Sequence, residues 1–298
     1  MEKPSKIFKY YKFNSENLDT LQSSYIYLSS ARRWKDQGDF KLDIVIGNDN
    51  EYKSFLQAQL EEGYSLTPED AEYETFLINR GMLLEKFGLT ALIGSQQEKD
   101  FLVNKLFEES TSKAGRKKRT ADVRENMFQR TGICCFTADA NTLELHNHWD
   151  VFADLGSGFC VEYNWQIMQD YFRDSNAGID GRYINYYKEN VPQIKAKKKR
   201  STEGEQEVYQ ILFSLPQILS DEKEFRVVKA YRTKLSDESP ARKMSIPKDA
   251  LTSITLGPKL LDSSLEALKA SAKRLGSTIY WFKISTGAGE YSRKEMKV

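Results

Sequence analysis

Cysteine and histidine, which build many catalytic and metal sites, are scarce in this sequence of 298 residues. It contains three cysteines and two histidines. An odd cysteine count with adjacent Cys134 and Cys135 argues against a disulfide framework. We expect these two and Cys160 to pack as small apolar side chains. His146 and His148 are few for a zinc site, which usually draws on several Cys or His ligands.

Long apolar segments are also missing. No stretch approaches the roughly 18 consecutive apolar residues of a membrane-spanning helix. The N-terminal MEKPSKIFKYYKF lacks the apolar core of a signal peptide. We therefore expect a soluble, cytoplasmic protein with no membrane partner. The G-x-S-x-G, P-loop, G-x-G-x-x-G and H-E-x-x-H motifs are absent too, so the commonest enzyme signatures are excluded.

Neither sign of charge dominates the sequence. Forty-four Lys and Arg against 43 Asp and Glu give a net charge of +1, which excludes a chain-wide basic field for nucleic acid. Two short basic runs remain. Each is either a solvated surface or a local patch that contacts nucleic-acid phosphates. The runs are Arg116, Lys117, Lys118, Arg119 and Lys197, Lys198, Lys199, Arg200.

The composition supports a packed core, because 40% of the residues are hydrophobic and 29% are charged. Strand-like segments and amphipathic helices alternate unevenly, which predicts a single α+β domain over residues 1–298. We expect a mixed β core with a helical insertion at about residues 51–130. Thr67 and Pro68 predict a helix start within that insertion. The capping box of Ser263 and Glu266 predicts a late helix.

An acidic pair precedes a late apolar strand in the sequence EKEFRVVKAY. Residues two apart on a strand point to one face, so Glu222 and Glu224 are expected to project together. Their repulsion requires a cation such as Arg226 to offset it. Such carboxylates suit a reaction in which positive charge develops on a sugar carbon. The alternative is a solvated strand end with an ion pair of little worth.

Aromatic residues are numerous, with 16 Tyr, 16 Phe and 4 Trp. Core packing accounts for most of them. An aromatic slot that stacks a planar ring, such as nicotinamide or a base, is the alternative for a few.

The order of segments resembles the bacterial proteins grouped as domain of unknown function 2971. That family shows an aromatic K-Y strand, a YLSS strand, a Cys-Phe-Ser strand, a Trp-containing helix leading to Gly-Phe-Cys-Ile-Glu-Tyr, a Glu-Lys-Glu-Tyr-Arg strand and an Ile-x-x-Gly-Pro-Lys turn. This chain shows, in the same order, FKYYKF, YIYLSS, ICCFTADAN, HWDVFADLGSGFCVEYN, DEKEFRVV and ITLGPK. The resemblance spans nearly the whole chain.

The family's segment order in turn resembles the ADP-ribosyltransferase fold, which implies a split β-sheet and NAD as cofactor. Those enzymes place Arg or His on the first core strand and Ser or Tyr on the second. The matching positions in this chain are Lys9 or Tyr10 on the first strand, and Tyr27 or Ser29 on the second.

The resemblance also implies roles for the late acidic strand. Glu224 matches the catalytic Glu and Glu222 the first acid of E-x-E, which orients or deprotonates the acceptor. Tyr27 or Trp149 would stack on nicotinamide, and Arg226 is expected to bind NAD as well.

We therefore expect an enzyme similar to mono-ADP-ribosyltransferases, which transfers ADP-ribose from NAD to a protein or nucleic acid. Family context implies a bacterial toxin or phage-defence effector with an antitoxin or regulatory partner. The alternative is a non-catalytic module that binds nucleic acid or protein through the basic runs. A third reading is a metal-assisted hydrolase that uses His146, His148 and Asp150.

Overall fold

The computed structural model describes residues 3–30, 43–45, 49–69, 73–86, 96–189, 193–195, 210–273, 275, 279–287 and 290–296. The chain is α+β with a large mixed sheet, as the sequence predicts. It divides into a sheet unit (residues 1–40, 126–189 and 213–298) and a helical unit (41–125 and 190–212). That the two fold as one domain stays a prediction.

The described residues form fourteen strands. They are β1 Lys6–Tyr11, β2 Tyr25–Tyr27, β3 Asp43–Val45, β4 Thr131–Thr137, β5 Phe159–Asn164, β6 Ile179–Tyr183, β7 Asn185–Tyr187, β8 Gln193–Lys195, β9 Ser214–Pro216, β10 Glu224–Ala230, β11 Lys243–Ser245, β12 Leu251–Leu256, β13 Tyr280–Gly287 and β14 Glu290–Met296.

Eight α-helices lie within the same described ranges. They are α1 Ser15–Gln22, α2 Asp49–Tyr64, α3 Tyr73–Lys86, α4 Gln96–Thr111, α5 Lys113–Arg130, α6 His146–Phe152, α7 Trp165–Asp174 and α8 Asp262–Lys273. Helix α8 confirms the prediction of a late helix in the segment that contains Ser263 and Glu266. The helix start predicted at Thr67 and Pro68 is wrong, because both residues lie between α2 and α3. None of the described helices is both long and apolar enough to cross a membrane.

The sheet unit is built on one eight-stranded sheet of order β14-β13-β12-β5-β1-β4-β10-β6. Only the β12–β13 pair is parallel, and β1 lies antiparallel between β4 and β5. Strand β10 pairs with β4 and β6, with Glu224 opposite Thr137 and Arg226 opposite Cys135. This register decides which side chains surround the acidic start of β10.

The two faces of this sheet differ because successive side chains of a strand point to opposite sides. On the first face, Ile7, Phe225 and Val227 pack into the main core with side chains from α1, α7 and α8. The opposite face carries a smaller core around Trp149 of α6 and Phe8 of β1. That second face also holds the buried charged residues Glu162, Glu224 and Arg226.

The helical unit has a separate core. Leu60 of α2 packs with Leu102 and Val103 of α4. A fully buried carboxylate, Glu98, accepts a hydrogen bond of 2.9 Å from Arg80 Nε. Strands β3 and β8 pair in parallel within this unit.

The turn between α6 and β5 requires glycine at position 158. A Cβ there would lie 2.1 Å from the Tyr11 carbonyl oxygen and 3.0 Å from that of Ala153. We expect Gly158→Ala to lower the free energy of unfolding by about 1–3 kcal/mol, because main-chain atoms must move. Urea denaturation followed by circular dichroism measures this loss.

Gly81→Ala is the matched control. A Cβ at Gly81, within α3, meets nothing within 4 Å, and alanine favours a helix by about 0.5–1 kcal/mol over glycine. We expect this variant to be as stable as the parent or more so. Equal losses in both variants would contradict the steric explanation.

Candidate functional site

The acidic start of β10 is formed by a change of backbone direction. A 3-10 helix, Gln217–Glu222, ends at Lys223, whose φ of 48° is left-handed, and β10 begins at Glu224. Glu222 therefore lies in the helix and not on the strand. The prediction that both acids share one strand face is wrong, because strand alternation does not extend across Lys223.

Glu224 is buried and paired with a buried arginine. Its side chain accepts hydrogen bonds from Arg226 Nε at 2.6 Å and from Arg226 Nη2 at 3.3 Å. Glu224 is 6% exposed and Arg226 is fully buried. The Glu224 main-chain N–H donates to the Tyr186 hydroxyl at 2.8 Å. A solvated strand end is thereby excluded, and Arg226 is the offsetting cation that the sequence indicated.

Further polar groups lie on the same side of the sheet. Thr137 faces Glu224 across the β4–β10 pair. The Tyr10 and His148 rings have centroids 5.9 Å apart. Tyr10 Oη and His148 Nε2 are buried atoms without a hydrogen-bond partner among the described residues. We refer to Glu224, Arg226, Thr137, Tyr10 and His148 as the Glu224 cluster.

Burial favours the neutral forms of the two ring side chains of this cluster, His148 and Tyr10. It lowers the pKa of His148, although the nearby Glu222 carbonyl and Asp221 carboxylate oppose the effect. Burial also raises the pKa of Tyr10 well above its ordinary value. A neutral imidazole is available as a hydrogen-bond donor or acceptor at neutral pH.

The cysteines are held as thiols. Burial raises the pKa of Cys135, and the Glu224 carboxylate adds to that rise. Burial likewise raises the pKa of Cys134 and of Cys160. A raised thiol pKa disfavours the thiolate that a nucleophilic cysteine requires.

Two residues predicted to bind NAD make contacts within the sheet unit instead. Lys9 points to the face opposite the Glu224 cluster, where its Nζ donates to the Cys135 carbonyl at 3.1 Å and lies 5.5 Å from the Phe136 ring centroid. Trp149 is fully buried, and its Nε1 donates to the Leu143 carbonyl at 2.8 Å. Stacking of Trp149 on nicotinamide would require its ring to be uncovered.

Tyr27 and Ser29, the residues predicted to bind NAD from the second strand, do not lie near Glu224. Strand β2 pairs with β11, and the Tyr27 hydroxyl donates to the Asp237 carbonyl. Ser29 forms a bridge with Ile133 of β4. Ile133 precedes Thr137 by four residues, which is about 13 Å along a strand. Tyr27 and Ser29 therefore lie toward the other end of β4.

The basic runs lie away from this cluster in the sequence. Positions 116–119 fall in α5, where Lys117 and Lys118 are exposed. Arg116 and Arg119 belong to the same helix. The second run, Lys197, Lys198, Lys199 and Arg200, lies outside the described residues.

Sequence reasoning missed a second buried carboxylate of the sheet unit, Glu162 of β5. It contacts Lys6 Nζ at 2.8 Å and Arg293 Nη2 at 3.3 Å, and accepts from Ser253 Oγ at 3.0 Å. Burial raises the pKa of Glu162, but hydrogen bonds from Lys6 and Thr252 outweigh it and leave that pKa below its ordinary value. The position of Glu162 within the otherwise uncharged strand FCVEYN is the sequence signal that could have indicated a buried carboxylate.

His148 and Tyr10 were each noted from the sequence but not as neighbours. Their contact depends on α6 packing across β1, which no local pattern reports. Among the described residues, no group of three or more His, Cys, Asp or Glu side chains could hold a metal ion. Searches among known protein families, curated proteins and solved structures find no match for this chain.

Removal of Arg226 tests the ion pair. We expect Arg226→Met to lower the free energy of unfolding by about 3–5 kcal/mol, because it leaves the buried Glu224 carboxylate uncompensated. The double variant Glu224→Leu/Arg226→Met should recover most of that loss. Urea denaturation of the single and double variants gives the coupling free energy between Glu224 and Arg226.

Arg173→Met is the control for this cycle. Arg173 pairs with Asp170 at 2.9 Å on the surface, with 70% of its side chain exposed. We expect Arg173→Met to lower the free energy of unfolding by less than about 1 kcal/mol. A comparably small loss in Arg226→Met would show that the Glu224 pair is solvated.

Proposed function

We propose that this chain is an NAD-dependent mono-ADP-ribosyltransferase in which Glu224 stabilises the developing positive charge. The observation that supports this proposal is the Glu224 cluster: a buried carboxylate at the start of β10, on the sheet face where Tyr10 Oη and His148 Nε2 are buried without partners among the described residues. The proposal includes an ADP-ribosyltransferase-like sheet and the resemblance described above.

The reaction breaks the bond between the nicotinamide nitrogen and C1′ of its ribose. Nicotinamide leaves as a neutral molecule with the bonding electrons, and C1′ acquires oxocarbenium character. A fixed carboxylate such as Glu224 favours that transition state over the ground state. A nucleophilic oxygen or nitrogen of the acceptor then bonds to C1′, and Glu222 takes its proton.

Arg226 acts as a positioning residue in this scheme. Its two contacts of 2.6 and 3.3 Å fix the Glu224 side chain. An ionised carboxylate offers about four lone-pair sites, so a ribose 2′-hydroxyl can donate to a carboxylate that an arginine already holds. Tyr10 Oη and His148 Nε2 are the nearby groups that would meet the sugar or nicotinamide amide.

The acceptor is proposed to be a macromolecule, protein or nucleic acid. The family resemblance supports a role as a bacterial toxin or phage-defence effector under an antitoxin or other regulatory partner.

Glu224→Gln tests the proposed catalytic carboxylate. We expect transfer from labelled NAD, measured with nicotinamide release in the presence of cell lysate, to fall by about 10²- to 10⁴-fold. Glutamine retains the shape of the side chain but lacks the charge that stabilises the oxocarbenium ion.

Glu162→Gln is the matched control, because it also neutralises a buried carboxylate of the same sheet. It should leave transfer per folded molecule unchanged. Undiminished labelling by Glu224→Gln, or an equal loss in both variants, would rule out the catalytic role of Glu224.

A further inference from the structure

Two neighbouring cavities lie in the sheet unit beside the segment that joins α7 to β6. The larger has a volume of about 750 Å³ and the smaller about 330 Å³. Both are lined by Asn176 and Gly178, so they adjoin at this segment. No residue of the Glu224 cluster lines either cavity, and they belong to a different part of the unit.

The larger cavity is lined by cations without a carboxylate. Its lining includes Lys229, Arg232 and Lys243 and no Asp or Glu. Lys229 Nζ lies 3.3 Å from the Met244 sulfur and 5.6 Å from the Tyr231 ring centroid. No carboxylate pairs with Lys229 within the described parts of the chain. A thioether and a ring face compensate a partly buried ammonium poorly.

The three cations are not equivalent. Lys243 Nζ lies 3.4 Å from Asp19 Oδ2, so part of its charge is already balanced. Arg232 is exposed at the rim. Burial lowers the pKa of Lys229, as expected for an ammonium without a close anion. Lys229 and Arg232 therefore supply the positive charge of this cavity.

The smaller cavity has a different character. It is lined by Trp165, Phe172 and Gln169 together with Asp180. Trp165 is 2% exposed, and its Nε1–H has no acceptor among the residues that the structure describes. Asp180 is held by Arg182 at 2.6 Å. Trp165 and Phe172 are almost fully buried, so the groups that this cavity presents to a ligand are mainly polar, among them Gln169 and Asn176. Side-chain amides can hydrogen-bond the edge of a planar heterocycle.

We propose that the two cavities together bind a phosphate-bearing nucleotide, with its phosphates at Lys229 and Arg232 and the edge of its base at Gln169 in the smaller cavity. Cationic groups without carboxylate partners recognise phosphate oxygens. Lys229 follows Glu224 by five residues, about 17 Å along β10. This nucleotide site is therefore separate from the proposed catalytic carboxylate.

Isothermal titration calorimetry with ADP, pyrophosphate and adenosine tests the site. The parent should bind ADP more tightly than pyrophosphate or adenosine. Lys229→Met should weaken ADP and pyrophosphate at least tenfold, because a charge-assisted contact is lost. Gln169→Leu, which removes the amide proposed to meet the base, should weaken ADP but leave pyrophosphate unchanged. Lys283→Gln removes an exposed cation on β13 and should change neither affinity.

Two further results separate this site from the proposed active site. Glu224→Gln should leave ADP affinity unchanged, even if it abolishes transfer from NAD. A loss of ADP affinity in Glu224→Gln but not in Lys229→Met would place the nucleotide at the Glu224 cluster and overturn the proposal. Absence of ADP binding by the parent, or equal binding by a folded Lys229→Met, would overturn it as well.

Discussion

A carboxylate buried in a β-sheet needs a cation close to it. The Glu224–Arg226 pair meets this requirement within a single strand. Desolvation of an isolated charge costs several kcal/mol, which a close guanidinium offsets only in good geometry. The two residues are two positions apart on β10, so the strand itself sets their separation. Glu162 meets the same demand through Lys6 and Arg293 on other strands.

The placement of charge divides the sheet into two chemically different faces. One face packs Ile7, Phe225 and Val227 against helices and provides most of the core. The other carries the buried ion pairs and leaves Tyr10 Oη and His148 Nε2 without described partners. Packing on the first face can hold the second rigid, which is what a preorganised polar site requires.

Strand β10 connects the two sites proposed for the sheet unit. Its first residue, Glu224, is an anion within a buried cluster, whereas Lys229 near its end is a cation in a cavity. The separation between them is fixed by the rise of the strand and by its hydrogen bonds to β4 and β6. One strand thus presents opposite charges at two distant positions.

Features that depend on a few neighbouring residues follow from the sequence, namely the late helix that contains Ser263 and Glu266 and the pairing of Glu224 with Arg226 on one strand. Three other features follow from packing between distant segments: Lys223 separates Glu222 from β10, His148 contacts Tyr10, and Tyr27 lies far from Glu224. Strand register and the packing of α6 across β1 are collective outcomes of the whole core, and local propensity does not encode them.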